Sequence, residues 1–282
     1  MPLPSYDALN SVLVPLAVEA GAVIMSIYQA DIEVSQKADQ SPVTEADQQA
    51  EMVIVRALAH HWPDIPVVAE EKAAQGDVPE GGQVFFLVDP LDGTKEFIAK
   101  RDEFTVNIAL VDQGVPVYGV IFAPASGTLY VTLSGDRAGR ANIPYPFDNR
   151  SFSSIDFTDI TCRPWQKETL AAVVSRSHID EASRRFLQLN GVLDQVASGS
   201  SLKFCRVAEG AADLYPRFGP TMEWDTAAGH GILLAAGGSV IDCHGEPFCY
   251  GKFDLAYRNT GFVACGAAPP PALQFPDGDE HV

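Results

Sequence analysis

Asp89-Pro90-Leu91-Asp92-Gly93-Thr94 sets two carboxylates on either side of a Pro-Leu pair, directly after the unbroken apolar run Val84 to Val88. Such a run reads as a strand buried on both faces. At its C-terminal edge Asp89, Asp92 and the Leu91 carbonyl can converge on one point, and oxygen donors of this kind suit a hard divalent cation. Gly93 permits a sharp turn, and Thr94 to Lys100 can open a helix whose free N–H groups favour a phosphate. A plain helix junction, with Asp92 as the cap and Asp89 facing water, accounts for the same residues without chemistry.

Other stretches offer groups to the same point. Thr44 and Asp47 fit a capping box at the start of a helix running to about His60. Ile65 to Ala69 reads as a strand delivering Glu70 and Glu71, an acidic pair that otherwise belongs to a solvated turn. Ala171 to His178 is a strand leading into a helix of Ile179 to Leu189, with Ser175 near the junction and His178 as a cap or surface residue. Gly199-Ser200-Ser201-Leu202-Lys203 introduces a helix through Glu209 and could cradle a phosphate or ribose. Ala211 to Tyr215 is a strand followed by Arg217. Asp225 stands as the N-cap of a helix that runs through Ala236 and is stopped by Gly237-Gly238.

The elements that must position these groups are legible in outline. Tyr6 to Tyr28 has apolar residues at helical spacing, with Pro15 as a possible kink. Phe104 to Val111 and Val115 to Ala123 form a strand pair around Asp112-Gln113-Gly114, and Leu129 to Leu133 is a third strand. Between about Ser134 and Lys167 periodicity is lost, which puts the boundary between two halves there. The expected division is an N-terminal α+β domain over 1–140, a C-terminal α/β domain over 165–266 and a disordered tail over 267–282. A hairpin of Val240 to Cys243 with Phe248 to Tyr250, and a last strand Gly261 to Cys265, complete the second half.

At 282 residues and 46% hydrophobic content the chain can bury a large core. Its formal charge of −18 argues against binding nucleic acid or anionic lipid. It also repels a phosphorylated substrate, so phosphate chemistry requires metal ions and local cations to reverse the sign. Five scattered cysteines without a CxxC pair fit reduced thiols in a cytoplasmic protein, and six histidines without zinc spacing argue against a zinc enzyme. Neither a signal peptide nor an integral membrane segment is expected. Peripheral membrane association is left open, as is the choice between monomer and homodimer.

The run Asp89 to Thr94 resembles the signature of the lithium-sensitive, magnesium-dependent phosphatases typified by inositol monophosphatase. Its continuation Lys95-Glu96-Phe97, with Arg101 and Glu103 to Leu110, resembles more closely the CysQ-type 3'(2'),5'-bisphosphate nucleotidases. The Trp224-Asp225-Thr226-Ala227-Ala228 pattern, closed by Gly237-Gly238, is similar to the second signature of the same family.

The resemblance implies an α/β fold of alternating helix and sheet layers, αβαβα, with the site where the halves meet. It implies Mg²⁺, roughly two or three ions, held by Glu70, Asp89, the Leu91 carbonyl, Asp92 and Asp225. Asp47 and Thr94 would orient the attacking water. The implied substrate is a small nucleotide bisphosphate. Contacts would come from Glu70, Leu91, Asp92, Gly93, Thr94, Ser175, His178, Gly199, Lys203, Arg217 and Asp225. The reaction would be 3'-dephosphorylation of adenosine 3',5'-bisphosphate to AMP, with the sulfated nucleotide as a second substrate. An inositol monophosphatase or fructose-1,6-bisphosphatase on the same scaffold is the near alternative, and a non-catalytic metal-binding protein the remoter one.

Overall fold

The computed structural model describes residues 2–30, 34–36, 42–79, 81–147, 152–176 and 179–276. Helix α1 (Tyr6–Tyr28) starts where the Ser5 hydroxyl accepts from the Ala8 N–H at 3.2 Å, and it runs through Pro15. A short antiparallel ladder, β1 (Val34–Gln36) with β2 (Pro42–Thr44), leads into α2 (Glu45–His61).

The larger sheet follows in sequence order: β3 (Val67–Ala69), β4 (Val84–Asp92), β5 (Thr105–Asp112), β6 (Val115–Ala123), β7 (Thr128–Ser134), β8 (Arg137–Asn142) and β9 (Thr158–Ile160). β3 and β4 are parallel, and the other neighbours are antiparallel. Short helices α3 (Glu70–Ala74) and α4 (Thr94–Ile98) leave the C-terminal ends of β3 and β4.

The second half contributes β10 (Ala171–Ser175), α5 (Glu181–Leu189), β11 (Asp194–Ser198), α6 (Leu202–Ala208) and β12 (Leu214–Arg217). It continues with β13 (Thr221–Met222), α7 (Glu223–Ala235), β14 (Ser239–Asp242), β15 (Arg258–Asn259) and β16 (Phe262–Cys265). Five of these strands form a sheet in the order β11-β10-β12-β16-β14, while β13 and β15 pair separately.

Strand alternation sorts the buried side chains into successive layers. Phe86 and Val88 of β4 join the core with α1 and α2, whereas Phe85 and Leu87 face the core shared with α6 and α7. Phe262 and Ala264 of β16 reach that same middle core from the other side, and Val263 and Cys265 pack outward with Phe186 and Leu187 of α5. Helix, sheet, helix, sheet, helix is thus the order of layers, as the family resemblance implies. Helix α1 is long and apolar enough to cross a membrane, yet Leu9, Leu13, Leu16, Ala17, Ala20 and Ile24 are spent on packing against α2 and the larger sheet. All five cysteines are free thiols.

Several expectations need correction. The larger sheet does not stop before residue 140: β8 ends at Asn142 and β9 lies within the stretch read as unstructured. β9 is a short polar edge strand, and β8, hairpinned to β7 and paired on its other side with β9, is polar and glycine-containing, so no alternation marks either. β11 is unpredicted for the same reason, with Asp194 and Gln195 exposed. Phe248 to Tyr250 forms no strand, although the Phe248 N–H donates to the Val240 carbonyl at 3.0 Å. The described part of the tail, 267–276, is docked: the Phe275 ring packs at a tilt against Phe186, centroids 5.6 Å apart, and the Gln274 backbone exchanges hydrogen bonds with Asn190. Two apolar residues, Leu273 and Phe275, are enough to anchor it.

Candidate active site

The C-terminal edge of β4 is where the chain's acids gather. The strand continues past Val88 through Asp92, with an irregularity in its pairing to β5 between Asp89 and Asp92. That bulge turns both carboxylates and the Leu91 backbone toward one cleft. Asp89 is 1% exposed, and its Oδ1 accepts from the Leu91 N–H at 3.0 Å. Gly93 follows with φ 96, a left-handed conformation, and a Cβ there would come within 3.0 Å of the Glu103 carbonyl oxygen. Glycine is therefore required for the chain to leave β4 and enter α4. That helix ends at Ile98, short of the expected Lys100.

The capping box at the start of α2 is present, and it does more than cap. Asp47 is buried, and its Oδ2 accepts from the Thr44 N–H and Oγ1, both at 2.7 Å. Its other oxygen, Oδ1, accepts from Thr94 Oγ1 at 3.0 Å. The Thr94 hydroxyl also lies 3.3 Å from the Leu91 carbonyl. One carboxylate thus fixes the start of α2 and the first residue of α4 together.

Glu70 and Glu71 begin α3 and do not form a solvated turn. Glu51 of α2, itself buried, accepts from the Glu71 N–H at 2.7 Å and the Lys72 N–H at 3.1 Å, satisfying the free donors of that helix end. The sequence reading missed Glu51, which its place among the polar residues of α2 does not distinguish.

Asp225 is at the third position of α7, not its N-cap. Met222 takes the cap position, and Asp225 Oδ2 accepts the Met222 N–H at 2.9 Å. Asp92 Oδ2 accepts from Ser200 Oγ at 2.5 Å and the Ser201 N–H at 2.6 Å, which ties the two halves of the chain together. Ser201 Oγ in turn donates to Asn107 Oδ1 at 2.7 Å.

Glu70, Asp89, Leu91, Asp92, Gly93, Thr94, Arg217 and Asp225 line one cleft of about 470 Å³. An adjoining compartment of about 170 Å³ shares Asp92, Gly93, Arg217 and Asp225 and adds Ser175, Gly199 and Lys203. Every described member of the expected site therefore borders one of these two spaces, except Asp47, which lies behind Thr94. His178 lies outside the described residues.

The electrostatics are those of crowded acids. Burial, then Glu70, Asp92 and Asp225 alongside, hold the Asp89 carboxyl well above its usual range. Burial, with Asp92 and Glu70, does the same to Asp225, against partial relief from the Met222 N–H and Arg217. Among the described residues no three His, Cys, Asp or Glu side chains are drawn into a tight metal-binding group. Instead Asp89 shares a hydrogen bond with Glu70, and Asp92 and Asp225 take the chain's own donors. The donor set is nonetheless all oxygen and strongly self-repelling, which fits hard divalent cations such as Mg²⁺.

The second compartment adds the cations Arg176 and Lys203 to Arg217 and to the acids Asp92, Glu96 and Asp225 that also line it. Lys203 is 6% exposed, its Nζ donates to the Ser200 carbonyl at 2.5 Å, and it lies 5.4 Å from the Tyr215 ring centroid. Burial pushes its pKa down to about 8, with Arg217 adding to the fall and Asp92 opposing it. Arg217 is braced by the carbonyls of Gly219 and Pro220 at 3.3 and 3.0 Å. At Gly199 an added Cβ would come within 2.8 Å of the Glu103 Cβ, so the cradle passes too close to the first half for a larger residue.

Comparison with known proteins fits this geometry. The chain is 45% identical over 249 residues to the 3'(2'),5'-bisphosphate nucleotidase CysQ of Escherichia coli O6:H1, covering 88% of this chain and 95% of that protein. It is 38% identical over 269 residues to the protein of the same name from Buchnera aphidicola, covering 92% and 97%. The crystal structure of CysQ from Bacteroides thetaiotaomicron superposes with a TM-score of 0.74 at 37% identity, covering 92% of this chain and 96% of that one. An inositol monophosphatase from Thermotoga maritima shares the fold at a TM-score of 0.69 and 23% identity, covering 90% of each chain. With residues 5–268 matched by the model of the inositol monophosphatase family, the chain belongs to that family.

Proposed function

We propose that this protein is a Mg²⁺-dependent 3'(2'),5'-bisphosphate nucleotidase that hydrolyses the 3'-phosphate of adenosine 3',5'-bisphosphate to AMP, with the sulfated nucleotide as a second substrate. The observation that carries the reading is the junction of two unlike compartments: an acid-lined cleft opening into one that holds Lys203 and Arg217. A substrate with two anionic groups, only one of which is hydrolysed, matches that division. The 45% identity to proteins named for this activity supports the nucleotide over an inositol ester.

Glu70, Asp89, the Leu91 carbonyl, Asp92 and Asp225 would hold the metal. When bound there, Mg²⁺ supplies Lewis acidity toward the phosphate oxygens and toward water. The remaining work falls to the chain. Thr94 Oγ1 donates its proton to Asp47 Oδ1, so its lone pairs are free to accept a proton from the attacking water. As that proton arrives, the Thr94 proton passes to Asp47, which acts as general base through the hydroxyl. Thr44 holds the other Asp47 oxygen and keeps Oδ1 aimed at Thr94. Lys203 and Arg217 neutralise the second phosphate, with Ser175 and Gly199 bordering the same space. The product of each turnover is free phosphate, and no covalent phosphoenzyme is required.

The test is phosphate release from adenosine 3',5'-bisphosphate and from inositol 1-phosphate under the same Mg²⁺ concentration. A large preference for the nucleotide is expected, and a large preference for the inositol ester overturns the assignment. Small monovalent Li⁺ is expected to inhibit, measured in the same assay at millimolar concentration.

A further inference from the structure

The ladder of β13 and β15 pairs Met222 with Arg258 and Thr221 with Asn259, and it brings Arg258 to the acid-lined cleft beside Glu70, Asp89 and Asp225. Arg258 borders that larger cleft and not the compartment of Lys203. Among the described residues no ion pair engages it, whereas Arg217 is braced by two carbonyls. A guanidinium offers five N–H donors in a planar fork that suits phosphate oxygens. In a cleft lined by the five carboxylates of Glu70, Asp89, Asp92, Glu96 and Asp225, such a cation offsets charge that would otherwise repel a phosphoryl group.

Its strand is held by a buried polar clamp that nothing in the reaction itself explains. Glu223, the first residue of α7, is fully buried. Its carboxylate accepts from the Gly251 and Lys252 N–H groups, both at 2.9 Å, and from Lys252 Nζ at 3.3 Å. The Glu223 N–H donates to the Tyr257 carbonyl at 2.9 Å. Asn259 Nδ2 donates to the Met222 carbonyl at 2.8 Å and Thr226 Oγ1 at 3.0 Å. Between these ties Ala256 and Tyr257 adopt left-handed φ of 50 and 61, which the surrounding contacts must maintain. Burying a charged pair is a poor way to gain stability but an effective way to fix one arrangement.

We infer that Arg258 is a substrate-contacting residue that binds the phosphoryl group entering the acid-lined cleft, and that Glu223, Lys252 and Asn259 are positioning residues for its strand. The inference rests on the phosphatase reading only in taking the anion to be a phosphate. It requires no particular alcohol on the substrate.

The experiment combines calorimetric binding of inorganic phosphate to the Mg²⁺-loaded protein with steady-state kinetics on adenosine 3',5'-bisphosphate. Arg258→Gln, at an exposed position, is expected to weaken phosphate binding and raise KM by about tenfold, with kcat within about twofold, the loss of one charge-assisted contact. Arg258→Lys should recover part of the affinity. Unchanged phosphate affinity and KM in Arg258→Gln overturns the inference, as does a loss confined to kcat. For the clamp, Glu223→Gln or, where that variant folds poorly, Lys252→Gln should weaken phosphate binding as well, and adding Arg258→Gln to it should do little more. Full additivity removes the positioning role. If the wild-type protein binds phosphate but leaves the nucleotide intact, the substrate assignment fails while the binding arm still decides the role of Arg258.

Discussion

The wall carrying Glu70, Asp89 and Asp92 and the wall carrying Ser200, Lys203 and Arg217 border the same pair of compartments, but they are held by different means. Acids of the first wall sit on strand ends and the start of a short helix: Asp89 is held by the local Leu91 N–H, and Glu51 anchors the start of the helix that Glu70 begins. Cations of the second wall lean on backbone carbonyls and on an aromatic ring. The walls are joined where Ser200 and Ser201 donate to Asp92. Such a division separates chemistry from recognition: damage to the acid wall should appear in kcat, and damage to the cation wall in KM.

The hardest blow to that division is Asp92→Asn, which keeps the shape but removes a charge proposed to hold the metal. A fall on the order of a thousandfold or more in kcat/KM is expected, with the melting temperature measured alongside to show that the fold survives. Full residual turnover would break the account of the acid wall. Thr94→Val removes the hydroxyl that bonds Asp47, and kcat should fall by about a hundred- to a thousandfold, as for loss of general-base assistance. Stopped assays at saturating substrate would measure it, and a change confined to KM would count against the relay.

On the opposite wall, Lys203→Met should raise KM for the bisphosphate nucleotide by about tenfold or more while kcat falls much less. The contrast sharpens with 3'-AMP, which lacks the second phosphate and should be nearly indifferent to the change. The smallest expected effect is one of pH. Because burial lowers the Lys203 pKa to about 8, its charge is present below that value and is lost as pH rises through it. KM should therefore climb by a few fold above about pH 8, a trend that Lys203→Met should flatten and Lys203→Arg should move to higher pH.

The acid wall was largely legible because its chemistry is written in contiguous residues. Asp89 to Thr94 follows an apolar strand, and the capping pattern at Thr44 and Asp47 marks a helix start that the structure contains. The contact of Asp47 with Thr94 had no local signal and entered only through family resemblance. Glu51 and the Glu223-Lys252-Asn259 clamp were illegible, since a buried acid on a helix looks like a solvated one until its partner from a distant loop is known. Asp225 was placed three residues out of register at the helix start because Asp225 accepts the N–H of the true cap residue, Met222, from within the first turn. The strands β8, β9 and β11 escaped for a related reason, being short polar segments, two of them at sheet edges, defined by their neighbours and not by their own alternation.

In the proposed reaction the acids of the first half and Asp225 act together on a phosphate whose second anionic group is bound by Lys203 and Arg217. The most direct measurement is kcat/KM for adenosine 3',5'-bisphosphate and for inositol 1-phosphate, with Mg²⁺ and after its removal by chelation, in the wild type and in Asp92→Asn. Rapid release from the nucleotide alone, abolished by chelation and by the substitution, is the predicted result. Equal or faster release from the inositol ester, or turnover that persists without metal, would contradict it.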